Sequence, residues 1–184
     1  MMRRARGVVV APPPRIVLLP EPVPETAWFI NLRSALSTPC WSAVSRWQGR
    51  LARWRCQACG GKGPEHPVEC HEQWSYETHG REHVQRLVGL LALCPACHQV
   101  KHIGLAQLRG QGEAAWAHFL RVNNIDDAQG RDIMMRLVDE YEERSRVKWR
   151  QDISWIEGWS AYHKIALEYV SYTSREYDGN DLPL

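Results

Sequence analysis

Cys56-Gln-Ala-Cys59 and, after a further 34 residues, Cys94-Pro-Ala-Cys97-His98-Gln-Val-Lys-His102 form the stretch whose spacing decides the fold. A two-residue spacer lets both thiolates of one knuckle reach the same ion at about 2.3 Å, and four such sulfurs complete a closed tetrahedron. The pattern therefore predicts one structural zinc on Cys56, Cys59, Cys94 and Cys97, with no coordination position left to activate water. The competing reading is a redox pair in each motif. Nothing around these cysteines resembles the βαβ context of such a site. Cys70 is either a neighbour of the metal site or a buried thiol, and Cys40 reads as a small apolar residue.

Between the knuckles, residues 67–74 read as a short strand and residues 78–82 as a polar loop. The apolar run 87–93 reads as a second strand, and Cys94 opens a helix to about His102 or Ile103. The predicted order is strand, loop, strand, helix. Upstream, Trp41, Val44, Trp47, Leu51 and Trp54 recur at helical spacing over residues 37–55. Downstream, Ala114, Ala115, Trp116, Phe119 and Leu120 form an apolar helix face that Asn123-Asn124 ends. Asp126 and Asp127 suit the cap of another helix, with Ile133, Met134, Leu137, Val138 and Tyr141 on one stripe. Its exposed side pairs Glu140 with Arg144 and Glu142 with Arg146, four apart in the favoured order. Residues 152–170 leave helix and strand open, and the end from about Ser174 reads as loose.

With 184 residues, nine tryptophans and 44% apolar content, the chain has the material for one folded module with helical additions. Residues 1–25 are Pro-rich and read as a floppy, extended arm. Their prolines break any apolar helix, and no run approaches the ~18 residues that cross a bilayer. Six cysteines, four of them in Cys-x-x-Cys pairs, fit metal binding in a reducing compartment, hence a cytoplasmic location with no membrane partner. A net charge of only +2 does not announce a nucleic-acid binder. Locally, however, Arg46, Arg50, Arg53, Arg55 and Lys62 run without an intervening acid. That strip is either a phosphate-facing surface or a solvated helix face.

His98 and His102 are four apart, so on a helix their rings project from one face and can share a metal. His71, at the end of the first strand, can close that site from across the hairpin. Three nitrogen ligands with positions left for water and a phosphate oxygen suit metal-assisted phosphodiester hydrolysis.

The string Cys56-x-x-Cys59, Val68-Glu69-Cys70-His71-Glu72, then Leu93-Cys94-Pro-Ala-Cys97-His98-x-x-x-His102 resembles the HNH endonucleases of bacteria and phages, in their four-cysteine zinc-knuckle form. The resemblance covers about 50 of the 184 residues. It implies an α+β protein: a zinc-stapled ββα-metal core of the HNH or His-Me finger class, flanked by α-helices. In segments, this is an arm over 1–25, a helical segment over 26–55, the core over 56–104, a helical extension over 105–150 and a C-terminal segment over 151–184. The resemblance implies a metal-dependent endonuclease acting on DNA, with RNA as a further target class, that holds Mg²⁺ or another divalent ion beside the structural zinc. His98 and His102 match the helix ligands, and His71 matches either the strand ligand or the general base. If His71 is the ligand, Glu72 occupies the base position, ionised near pH 7 but a weaker base than histidine. If His71 is the base, Cys70 or Glu69 stands in for the ligand.

One departure stands out. The middle asparagine of the family falls on Gly89, and the chain has no asparagine between Asn31 and Asn123. His83 or Gln85 could substitute only at a different spacing. Gly89 therefore keeps a second expectation open, a non-catalytic zinc-stabilised nucleic-acid binder with a degenerate site. A third is that the histidines serve packing alone.

Overall fold

The computed structural model describes residues 17–28 and 31–170. Residues 1–16 of the arm predicted over 1–25, and the loose end from Ser174, lie outside the described residues.

The architecture is α+β, built on a long antiparallel hairpin. Strands β1 (Glu69–His79) and β2 (Glu82–Leu93) pair from Glu69↔Leu93 to His79↔Glu82. Both strands run farther than the apolar runs predict, because the mostly polar stretches 75–79 and 83–86 pair as well. The predicted loop shrinks to Gly80-Arg81, with Gly80 at φ 65°. Glycine is favoured at that position because the turn needs positive φ. A third strand, β3 (Arg150–Asp152), lies parallel to β2 along Val84–Arg86, so the sheet order is β1-β2-β3.

The register shifts between Gln73 and Trp74, which face Gly89 and Leu87, so Val88 is an extra residue in β2. The side-chain alternation of β2 reverses there. Leu87 and Leu90 consequently join one core, while Leu93, with the partly buried Leu91 packed beside it, joins the other. This explains why residues 87–93 read as a continuous apolar run: both faces of β2 are covered.

One core sits under α1 (Leu32–Ala35), α2 (Thr38–Leu51) and α7 (Trp155–His163) and contains Leu32, Leu36, Val44, Leu87, Leu90 and Ile156. The other lies under α3 (Pro95–Lys101) and α5 (Gly112–Asn123) and contains Leu18, Leu93, Val100, Phe119 and Ile125. Two further helices, α4 (Ile103–Leu108) and α6 (Asp127–Ser145), flank α5. The predicted caps are present: Asn124 takes φ 52° after α5, and Asp126 forms a capping box with Gln129 at the start of α6. The pair Glu140–Arg144 forms at 2.8 Å. Helix α2 stops at Leu51 and not at Arg55, because Arg53 and Trp54 take left-handed φ values of 53° and 56° that no α-helix accommodates. The ambiguous stretch 152–170 supplies α7 and a bridge from Tyr169 to Leu36. Among the described residues, no helix is long and apolar enough to cross a membrane.

Residues 17–24 do not float, although their sequence reads as a floppy arm. Leu18 is 1% exposed. Asn123 accepts from the N–H groups of Val17 and Leu18 and donates to the Leu18 carbonyl. Glu21 donates its backbone N–H to the carbonyl of Lys101 at 3.0 Å, and Arg144 donates to the Pro22 carbonyl. The segment is a strap tied across α3, α5 and α6.

Candidate metal centre

The knuckle Cys56–Cys59 reaches β2 through glutamines. Gln57 donates its backbone N–H to the carbonyl of Ala92 and accepts the Ala92 N–H on its side-chain oxygen at 2.7 Å. Gln48, 5% exposed, donates to the Leu90 carbonyl and to the Gln57 side chain. These bonds complete the edge of β2 beyond β3 and bring Cys56 and Cys59 beside Cys94 and Cys97, which flank the start of α3.

All four sulfurs lie within 4.8 Å of one another, and Cys59 and Cys94 are 3.7 Å apart. Zn–S bonds of 2.3 Å place the corners of a tetrahedron about 3.8 Å apart. The donor set fits a single zinc-like ion. Its chemistry asks for one: the hydrogen bond from Cys97 holds the Cys56 thiol down to about 4, while burial pushes Cys94 up to about 11. Cys97 is likewise raised, by its bond to Cys56 and by burial. Four thiolates cannot coexist there without a cation to neutralise them.

His118, on α5, was not foreseen. Its Nε2 lies 3.1 Å from the Cys97 sulfur, and Arg121 donates to its Nδ1. Because a guanidinium only donates, Nδ1 must accept and Nε2 carries the proton toward sulfur. In the sequence His118 sits inside an apolar helix face, with no spacing that ties it to a cysteine.

The second cluster joins His71 of β1 to His98 of α3 and His102 just beyond it. One nitrogen from each lies within 4.8 Å of the others, and the ring centroids are 5.0 to 5.1 Å apart in every pair. Burial holds His102 down to about 4, with the neighbouring His71 and His98 adding to the fall, and burial and His71 lower His98 as well. Both are neutral at pH 7, with lone pairs free for a metal. Glu69 accepts from His98 Nδ1 and, at 2.9 Å, from His66 Nε2. Burial would raise the Glu69 carboxyl, but these two histidines outweigh it and leave it below the usual range. An ionised carboxylate only accepts, so His98 carries its proton on Nδ1 and presents Nε2. Across the cluster, His71 Nε2 lies 2.7 Å from Glu21 of the strap. Three imidazoles, two of them hydrogen-bonded from behind by carboxylates that fix their orientation, fit a divalent ion. Glu21 escaped the sequence reading because no spacing links it to residues 50 positions away.

Other predicted residues lie elsewhere. Glu72 follows His71 along β1, so alternation turns it to the other face. There it accepts the backbone N–H of Arg33 at 3.0 Å at the start of α1. The expectation that Glu72 shares a site with His71 as an ordinary ionised carboxylate is corrected twice, by this placement and by burial, which raises Glu72 to about 7. Cys70 also packs in the α1–α2–α7 core, where burial raises its thiol to about 12, so Glu69 is the residue beside the histidines. His83 pairs with Thr78, and Gln85 with Tyr76, nearer the hairpin turn. At Gly89 a Cβ would lie 2.8 Å from Oε1 of Gln73, so the carboxamide of Gln73 covers the position where the family pattern has a side chain. Arg46, Arg50, Arg53, Arg55 and Lys62 are all exposed, with Arg50 over the ring of Trp47 and Arg55 donating to the Gly60 carbonyl.

Fold and site together define an α+β protein with a four-cysteine cluster able to hold a metal such as zinc. No family model, curated protein or solved structure matches the chain.

Proposed function

We propose that this protein is a metal-dependent endonuclease of the HNH type, hydrolysing phosphodiester bonds of DNA in the cytoplasm. The observation that carries the reading is the meeting of His71, His98 and His102 on the hairpin and helix that the four cysteines fasten together. The β1–β2–α3 order matches the ββα-metal core that the motif resemblance implies. His71, His98 and His102 would hold a divalent ion such as Mg²⁺. When bound, that ion polarises a phosphoryl oxygen and makes water a nucleophile near neutral pH. The chain's own part is orientation. Glu69 fixes the proton of His98 on Nδ1, the four cysteines fix the start of α3, and the exposed arginines with Lys62 supply cations for phosphates.

A second reading, a zinc-stabilised nucleic-acid binder without catalysis, is favoured by one feature. Position 89 is a glycine where the family pattern has an asparagine, and the carboxamide of Gln73 occupies the space beside it. The two separate in one assay. Supercoiled plasmid is incubated with the protein and Mg²⁺, Mn²⁺, Ni²⁺ or Zn²⁺, beside His98→Ala of verified melting temperature. Metal-dependent nicking that His98→Ala loses supports the nuclease, whereas salt-sensitive retention of DNA without nicking in any metal leaves the binder.

A further inference from the structure

A carboxylate from the strap is buried against the three-histidine cluster. Glu21 is 12% and His71 5% exposed, with Oε2 and Nε2 2.7 Å apart. Removing a carboxylate from water is costly even when it has a hydrogen-bond partner, so this contact is a poor fastener. The strap does not need one. Leu18 fills the core, Asn123 makes three bonds to the strap, and the Glu21 backbone N–H is bonded to Lys101.

What the carboxylate does require is a proton on His71 Nε2, because a carboxylate oxygen accepts and that nitrogen is its donor. We propose that Glu21 is a positioning residue for His71: it takes the proton of Nε2 and leaves Nδ1 as the lone-pair nitrogen that serves the three-histidine site. Glu21 and Glu69 then act as a pair, one behind His71 and the other behind His98, and they fix the two rings in opposite tautomers. Carboxylates behind metal-binding histidines fix ring orientation and raise donor strength, and their loss typically weakens metal binding by about 10–100-fold. The strap thus becomes part of the site. This inference rests on the reading of the histidines as a metal centre, but its first test does not.

In the zinc-loaded protein without further metal, long-range ¹H–¹⁵N correlation at pH 8 should find the His71 proton on Nε2. A proton on Nδ1 overturns the proposal without any variant. Mn²⁺ binding followed by electron paramagnetic resonance should weaken by about 10–100-fold in Glu21→Ala. Glu21→Gln keeps the shape and an acceptor while losing the charge, so it should fall between Glu21→Ala and wild type. Zinc content and melting temperature identify a variant that has failed to fold, in which case Glu21→Gln and the wild-type tautomer decide. Unchanged Mn²⁺ affinity and an unchanged His71 tautomer in a folded Glu21→Ala reduce Glu21 to a strap contact. If wild type and His98→Ala take up Mn²⁺ equally, the metal centre itself is refuted, while the tautomer still decides the role of Glu21.

Discussion

His71 and Glu72 are adjacent in sequence and end up on opposite faces of β1, which gives them opposite electrostatic fates. His71 meets two other imidazoles and a carboxylate. Glu72 is pressed against α1. There burial raises its carboxyl to about 7 from an ordinary 4.5, and the charge of Glu21 adds to the rise, although backbone N–H groups of Arg33 and Leu32 and the side chain of Trp74 oppose it. The folded protein thus holds the Glu72 proton more tightly than the unfolded chain does. That contribution to stability is fully present below about pH 4.5 and is lost as pH rises to about 7, at up to ~1.4 kcal/mol per pH unit. Glu72→Gln has no proton to lose. Wild type should therefore lose more melting temperature than Glu72→Gln between pH 5 and pH 8, and parallel melting curves would refute the buried, proton-holding Glu72. The motif letters His71-Glu72 suggested a shared site because linear adjacency carries no face. Only the strand period, two residues long, separates them.

Periodicity made the helices legible, since Val44 in α2 and Ala115 and Phe119 in α5 are buried at the spacings that the apolar letters mark. The caps at Asn124 and Asp126 were legible for the same local reason: each acts on its own backbone. What stayed hidden depends on contacts distant in sequence. Polar strand residues such as Gln85, 1% exposed, pair only because the partner strand lies beside them, and Val88 becomes a bulge only when β1 sets the register. The strap is the extreme case, because its Pro-rich composition resembles that of a tail while its anchors lie about a hundred residues downstream. Its docking can be tested at the anchor. Asn123, 3% exposed, accepts from Val17 and Leu18 and donates to the carbonyls of Leu18 and Phe119. Asn123→Ala strands these buried groups, so a loss of about 1–3 kcal/mol is expected in denaturant unfolding. Amide exchange at Leu18 should rise more than exchange in α2. Uniform exchange with unchanged stability would mean that the strap holds by apolar contact alone.

The two cores are joined by one element, β2, and only one of them contains thiol ligands: Cys56, Cys94 and Cys97 lie with Leu93, Val100 and Phe119, and none lies with Val44, Leu87 and Ile156. A structural zinc contributes roughly 10–16 kcal/mol of apparent binding energy at neutral pH. A whole domain is stable by about 5–15 kcal/mol. The ion's share is therefore large enough to decide whether the molecule folds, and its removal should spread beyond its own core. Without the knuckle, Gln57 leaves the edge of β2 at Ala92 and Gln48 loses a partner, so the strand that both cores share is freed along that edge. Zinc analysis should find one equivalent per chain in wild type and in His98→Ala, because the histidines stand apart from the sulfurs as a separate cluster. Stripping that zinc with a strong chelator, or replacing Cys59 by serine, should abolish the cooperative thermal transition and most of the far-UV circular dichroism. The signal from the tryptophans around the second core, Trp41, Trp74, Trp155 and Trp159, should be lost in the same transition as the rest. Should metal-free protein instead keep its native melting temperature, the hairpin and its histidines would be held together by packing alone, and the four cysteines would have no structural role to explain their convergence.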